Sequence, residues 1–293
     1  MENTLVVATD LSPRSDLAVE RAVQLARQQG WDLWLLHVIS HRLAGMAHGN
    51  YNNPGLNADE SALAARRQLL EMAEAIQNRS SGLKVGTDTL IGHASSRIAD
   101  FAATRRPDLL VVGERGRNWV RDTILLGGTA LKVVSEARIP VLLVRRPATA
   151  NYSKVLVATD FSPSSANAAR LALTYFPDTE ATLVHAYATK VEERVGYGSD
   201  VELASSPARG KVSDLARDAM EAFIASICPR QAAVRNRLVF DYPAQAILSE
   251  ASESQADLIV IGRHGGGPAG ERLLGSVTQH VLYYAGCDVL VVP

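Results

Sequence analysis

The chain repeats itself once, and that repeat limits its architecture more than any other feature. Val7-Ala8-Thr9-Asp10 returns as Val157-Ala158-Thr159-Asp160, and each copy is followed by Ser-Pro, at Ser12-Pro13 and Ser162-Pro163. Asp108-Leu109-Leu110-Val111-Val112-Gly113 returns as Asp257-Leu258-Ile259-Val260-Ile261-Gly262. Leu125-Leu126-Gly127 returns as Leu273-Leu274-Gly275, and Val141-Leu142-Leu143-Val144 as Val289-Leu290-Val291-Val292. The offset stays between 148 and 150. A period this long is a duplicated domain rather than a solenoid repeat. The polar, proline-containing stretch Arg145-Arg146-Pro147-Ala148-Thr149-Ala150-Asn151 lies between two β-branched runs. It is read as the join, which predicts domains over residues 1–147 and 151–293.

Within each half, the hydrophobic period alternates. Short apolar runs predict buried parallel strands near 4–9, 32–39, 83–91, 108–113 and 139–144. Helical patterns fall near 13–29, 59–79, 95–105 and 128–137. The second half predicts strands near 153–159, 180–187, 232–240, 257–262 and 287–292, with helices near 163–175, 206–227, 243–254 and 276–285. Strand–helix alternation implies an α/β class: two tandem doubly wound domains, each a five-stranded parallel sheet with helices on both faces. Such sheets take ligands at the carboxyl ends of their strands, where the order of strands reverses. Long irregular segments at 40–57 and 188–205 read as mobile connections or, as the alternative, as covers over a ligand.

Composition removes whole classes of function. Thirty Lys and Arg against 31 Asp and Glu give a net charge of −1. That lacks the basic excess with which proteins grip phosphate backbones. Aromatic residues are 5% of the chain and offer few stacking platforms for bases. Nucleic acid is therefore not an expected partner. The halves differ in charge, +3 over residues 1–147 and −4 over 148–293, which is read as a solvated surface. Cys228 and Cys287 form no CxxC pair, too little for a disulfide framework or a thiolate zinc site. No apolar run reaches the ~18 residues of a membrane span, and Met1-Glu2-Asn3-Thr4 has no basic leader region. A soluble cytoplasmic protein is the expectation.

The strongest chemical signal lies in the second half. Gly262-Arg263-His264-Gly265 is followed, after nine intervening residues, by Gly275-Ser276. Gly262 closes a strand, Gly265 is expected to turn with positive φ, and Gly275-Ser276 opens the last helix. There the amide groups and the helix dipole attract an anion, and the Ser276 hydroxyl can add a hydrogen bond. The pattern reads as a lysine-free phosphate cradle or as a tight turn with an ordinary helix cap.

These residues, with Val-Ala-Thr-Asp after the first strand and Leu183-Val184-His185-Ala186 after the second, resemble the universal stress protein family. The chain resembles a tandem member over both halves. In the family's nucleotide-binding branch, the G-x2-G-x9-G-[ST] motif holds the ribose and phosphates of ATP. The first-strand Asp lies near the nucleotide and its metal, and strand ends bracket the adenine. The resemblance thus implies ATP and Mg²⁺ as ligands. It points to Ala158, Thr159, Asp160, Ala186, Ile261, Gly262, Arg263, Gly265, Gly275, Ser276 and Val277, with Asp160 toward the metal. It also implies pairing of last strands, so that 139–144 and 287–292 make an internal pseudo-dimer, with a homodimer as a further possibility.

The first half departs from the motif. Ten residues separate Gly116 from Gly127, Gly128 replaces the hydroxyl residue, and Thr129 comes one place late. Glu114 adds a negative charge beside the expected phosphate path, with Arg115, Arg117 and Arg121 available to offset it. Nucleotide binding there is expected to be weak or absent. In the second half, Asp241 stands where the first has Gly92, which bears on the fit near the ribose.

Asp10 and Asp160 have a second reading. Ser12-Pro13 and Ser162-Pro163 resemble a helix N-cap with proline at the first helical position, and the carboxylate would then simply favour the helix terminus. His37 and His185, at matching strand ends, are read as packed or hydrogen-bonded core residues rather than metal ligands. His264 is either a phosphate contact or a solvent-exposed side chain. His41 and His48 have no partner at ligand spacing. Gly265-Gly266-Gly267-Pro268-Ala269-Gly270 matches GxGxxG literally but follows the fourth strand, so a dinucleotide site is not expected. No P-loop and no GxSxG elbow are present. Met220, Phe223 and Ile227 at helical spacing read as a core face.

Three functions follow. One is a stress-response regulator that binds ATP in its second half. Another is a slow ATPase or phosphotransfer enzyme, for which Asp160 and His264 are the candidate bases. Turnover lost in Asp160→Asn with binding retained would favour that enzyme. The third is a nucleotide-free scaffold, favoured if ATP with Mg²⁺ leaves the melting temperature unchanged.

Overall fold

A computed structural model describes residues 3–39, 58–114, 127–187, 207–227, 234–265 and 274–293; within helices, side chains are described from 62 and 213 onward. The 40–57 and 188–205 connections, Arg115, Gly116, Arg117, Arg121, His41, His48, Cys228 and Gly266–Gly270 lie outside these residues. The chain divides into two compact units, Met1–Asn151 and Tyr152–Pro293.

The N-terminal unit runs β1 (Thr4–Thr9), α1 (Asp16–Gln29), β2 (Asp32–Ile39), α2 (Ala58–Arg79), β3 (Val85–Ile91), α3 (Ala94–Arg105), β4 (Leu109–Gly113), α4 (Gly128–Glu136) and β5 (Val141–Val144). All its strands pair in parallel, in the order β3-β2-β1-β4-β5. The C-terminal unit runs β6 (Lys154–Ala158), α5 (Pro163–Tyr175), β7 (Glu180–Tyr187), α6 (Pro207–Ile227), β8 (Arg235–Phe240), α7 (Pro243–Glu253), β9 (Leu258–Gly262), α8 (Ser276–Tyr284) and β10 (Asp288–Val292). Its parallel order, β8-β7-β6-β9-β10, is the same winding. Each half is therefore the doubly wound α/β domain that the alternation predicts.

Burial explains the strands. β9 and β10 are buried at every residue, and β5 likewise, which is why they read as unbroken apolar runs. The edge strand β8 is exposed over Arg235, Asn236 and Arg237. Helix α6 packs Met220, Phe223 and Ile227 into the core, as their spacing predicts. Right-handed crossovers put α1 and α2 on one face and α3 and α4 on the other; α3 packs against α4, and α7 against α8. The crossovers from β1 and β4 leave in opposite directions, as do those from β6 and β9. That reversal opens one crevice per unit at the carboxyl ends of these strands.

The opposite end of each sheet explains another repeated residue. The Asp108 carboxylate accepts the Thr4 amide at 2.7 Å. Asp257 accepts the amides of Ser153 and Lys154 at 2.9 and 3.0 Å and the Ser153 hydroxyl at 2.7 Å. Both aspartates tie the start of one central strand to its neighbour, far from the crevice.

Candidate functional site

The crevice of the C-terminal unit is built first from the turn after β6. The Thr159 hydroxyl oxygen accepts the Phe161 amide at 3.0 Å, and Asp160 Oδ1 accepts the Ser162 amide at 3.1 Å. The Ser162 side chain accepts the Ser165 amide at 3.2 Å and caps α5, with Pro163 in its first turn. Phe161 is held at φ 65°, a left-handed conformation that costs a bulky residue about 1–3 kcal/mol. The Thr159 bond to its amide and the packing of its ring offset this cost. That ring stacks on His185, centroids 4.1 Å apart, and meets Phe223 at 5.6 Å.

His185 Nδ1 donates to the Thr159 carbonyl oxygen at 2.9 Å. Burial lowers the pKa of His185 from its ordinary value, against the opposing effects of that backbone bond and the Asp160 charge. The ring is therefore held neutral, with Nδ1 protonated. His37 makes the matching bond to the Thr9 carbonyl at 2.8 Å. Both histidines lock strand ends.

The turn after β9 forms the other wall. Arg263 donates its amide to Val292 O at 2.7 Å and accepts the Gly275 amide at 3.0 Å, so both ends of the glycine loop are fastened. Thr278 donates its hydroxyl to the Gly262 carbonyl at 2.8 Å and ties α8 to the strand end. Helix α8 begins on Gly275 with no side-chain cap, and its first long-range helical bond runs from the Gln279 amide to Gly275 O. Gly275 has no side chain to cap the first amides of α8, as Gly127 has none for those of α4, and uncapped helix amides can receive an anion.

All three motif glycines stand close against a neighbour, a side-chain oxygen at Gly262 and Gly265 and a backbone oxygen at Gly275. A Cβ on Gly262 would stand 2.6 Å from Ser164 Oγ, and one on Gly275 3.1 Å from Arg263 O. A Cβ on Gly265 would stand 2.6 Å from Asp160 Oδ2. This corrects one expectation: Gly265 is not among the positive-φ residues. A Cβ there would have to displace the end of the Asp160 side chain. The same contact joins the two turns, so Thr159 and Asp160 from β6 and Gly262, Arg263 and Gly265 from β9 share one crevice. Gly275, Ser276 and Val277 follow through the Gly275–Arg263 bond. Ala158 and Ile261 are buried strand-end residues, and Ala186 of β7 pairs with Val239 of β8, next in sequence to His185. Asp241 turns its carboxylate onto the Tyr242 amide at 2.6 Å.

The N-terminal crevice shares the backbone frame but not the chemistry. The Glu114 amide donates to Val144 O and its carbonyl accepts the Gly127 amide, both at 3.0 Å. The Glu114 carboxylate is paired with Arg145 at 3.3 Å, both side chains largely buried. Arg145, the residue following β5, is a partner that the sequence reading did not name; Arg115, Arg117 and Arg121 lie outside the described residues. The cap expectation also fails here. The Ser12 hydroxyl donates to Asp10 Oδ1 at 2.5 Å and the Ser15 amide bonds Ser12 O at 2.9 Å. This tight turn postpones the helix, and α1 starts after Ser15 rather than at Pro13.

The sequence reading missed Phe161, Ser164, Ser165 and Thr278. The first three lie within the duplicated turn, and only the spacing of Ser12 and Ser15 against Ser162 and Ser165 hinted at them. Among the described residues there is no group of three or more His, Cys, Asp or Glu positioned to hold a metal, and no helix is long and apolar enough to cross a membrane.

Comparison with known proteins covers both units. A family model, the Universal stress protein family, matches residues 1–145 and again 151–293. A universal stress protein of Mycolicibacterium smegmatis is 28% identical over 299 residues, spanning 99% of this chain and 97% of its own. The crystal structure of a universal stress protein from Archaeoglobus fulgidus covers 100% of this chain with 98% of its own at TM-score 0.70 and 22% identity, a likeness of fold. A universal stress protein crystallised in complex with cAMP is 29% identical, covers 49% of this chain with 99% of its own, and has a TM-score of 0.34.

Proposed function

This chain belongs to the universal stress protein family, once in each half; from that premise we propose that it is a stress-response regulator whose C-terminal domain binds an adenine nucleotide, ATP with Mg²⁺. One observation carries the reading: a Cβ on Gly262, Gly265 or Gly275 would stand within 3.1 Å of a neighbouring oxygen, beside a helix terminus without a side-chain cap. Anion recognition follows from the backbone there. The adenine and the number of phosphates come from the family resemblance.

The residues fit the proposed ligand. Amides of Ser276 and Val277 at the start of α8 would receive phosphoryl oxygens, and Gly262 and Gly265 leave room for the chain beside them. Ala158, Thr159 and Ala186, with Ile261, would border the base. Mg²⁺ commonly takes one or two carboxylates plus substrate phosphates, and Asp160 supplies one carboxylate beside the glycine loop. The metal would offset the repulsion between that carboxylate and the phosphates. The N-terminal domain, with a buried Glu114–Arg145 pair at the corresponding strand end and Gly128 in place of the serine, is proposed not to bind nucleotide. A cytoplasmic place of action, and self-association through the last strands, go with this reading.

Titration calorimetry of the full chain tests it. Mg-ATP should bind at one site per chain, and Gly275→Val with Ser276→Ala should abolish the binding. Gly127→Val should leave it intact. Unchanged affinity in the first variant, or loss in the second, overturns the reading.

A further inference from the structure

Two polar groups of the C-terminal crevice are buried without a hydrogen-bond partner: the Ser164 hydroxyl and the His264 ring, at both of its nitrogens. Leaving such groups unsatisfied is costly, so a folded protein seldom retains them without use. They come from opposite walls. Ser164 lies in the first turn of α5, its Oγ 2.6 Å from where a Cβ on Gly262 would stand. His264 is the centre of the glycine loop. Its carbonyl oxygen would be 3.4 Å from that same Cβ, and its Cα 3.6 Å from one on Gly275. The Ser164 hydroxyl and the His264 backbone therefore sit where the N-termini of α5 and α8 approach the end of β9, a region where two helix fields favour negative charge.

We propose that Ser164 and His264 are phosphoryl-recognising residues of this site, each donating a hydrogen bond to the polyphosphate of the bound ligand. The inference rests on the nucleotide reading above and adds two side chains beyond the glycines and the serine of the motif. Neither donor needs a charge: a hydroxyl and one N–H of a neutral imidazole suffice. The N-terminal domain supports the distinction. The repeat places Arg14 opposite Ser164 and Arg115 opposite His264, so the crevice that is proposed to be empty of nucleotide has lost both small neutral donors.

The proposal makes stability and affinity move in opposite directions. Ser164→Ala and His264→Ala each delete a buried group that has no partner without ligand. The unliganded full chain should then melt at the same temperature as wild type or higher. Each variant should nevertheless bind Mg-ATP roughly tenfold more weakly, the expected loss for a bond to a charged oxygen. Calorimetry with three probes decides the matter: Mg-ATP, Mg-tripolyphosphate and adenosine. The loss should appear with both phosphate-bearing probes and be absent with adenosine.

Wild-type affinity in both variants overturns the proposal. Equal losses for adenosine and ATP also overturn it, since the residues would then shape the base pocket. A lower melting temperature in both unliganded variants assigns them a packing role and overturns it too. If the wild type binds tripolyphosphate through these residues but not ATP, the nucleotide reading falls and this inference stands.

Discussion

Gly262 shows how a single position is constrained by its neighbours rather than by its own backbone. Its φ lies outside the left-handed region, so an alanine there would meet no torsional penalty. The obstacle is Ser164 Oγ at 2.6 Å, backed by the Ser164 carbonyl carbon at 3.3 Å. Gly262→Ala is expected to destabilise the C-terminal domain by about 1–3 kcal/mol, the usual range for overpacking. Removing the hydroxyl in Ser164→Ala should recover part of that loss. Urea denaturation of the four proteins in the cycle measures the coupling, expected at about 0.5 kcal/mol or more. Additivity within error would show that the backbone contact alone sets the need for glycine.

At the scale of elements, the turns after β1 and β6 are the same device with different endings. In both, threonine holds the amide of a left-handed residue, Leu11 at φ 58° or Phe161 at φ 65°, and aspartate holds the next amide but one from its own position. Only the second turn leads directly into a capped helix. His185 beneath it brings a pH dependence. Burial depresses its folded-state pKa, so the unfolded chain takes up the proton first. The stabilisation is complete above the unfolded value near 6.5 and is lost as pH falls toward the folded value. Urea midpoints of the C-terminal transition should therefore drop between pH 7.5 and 5.5. His185→Asn keeps a donor for the Thr159 carbonyl but cannot titrate, and should flatten that slope. An equal slope in the variant would place the titration elsewhere.

For the whole molecule, duplication produced two like frames with unlike crevices, so a nucleotide should act on one half. A ligand at a hundred times its Kd stabilises the state that binds it by about 2.7 kcal/mol. Hydrogen exchange on the full chain with Mg-ATP should slow amides within 152–293 and leave 3–151 unchanged. Protection in the N-terminal domain instead would reverse the assignment of the two halves. The doubly wound fold was legible in the sequence because burial on both faces writes apolar runs into every central strand, and because the whole pattern occurs twice. The glycine motif was legible because its three glycines recur at a defined spacing between a strand and a helix. What lay beyond the sequence were contacts between residues distant along the chain. Asp160 closes on Gly265, Arg145 neutralises Glu114, Ser164 backs Gly262, and Ser12 turns to Asp10 instead of capping a helix. Local pattern records which face of an element is buried; only the packing of one turn against another decides which side chain meets which, and so which polar groups are left for a ligand.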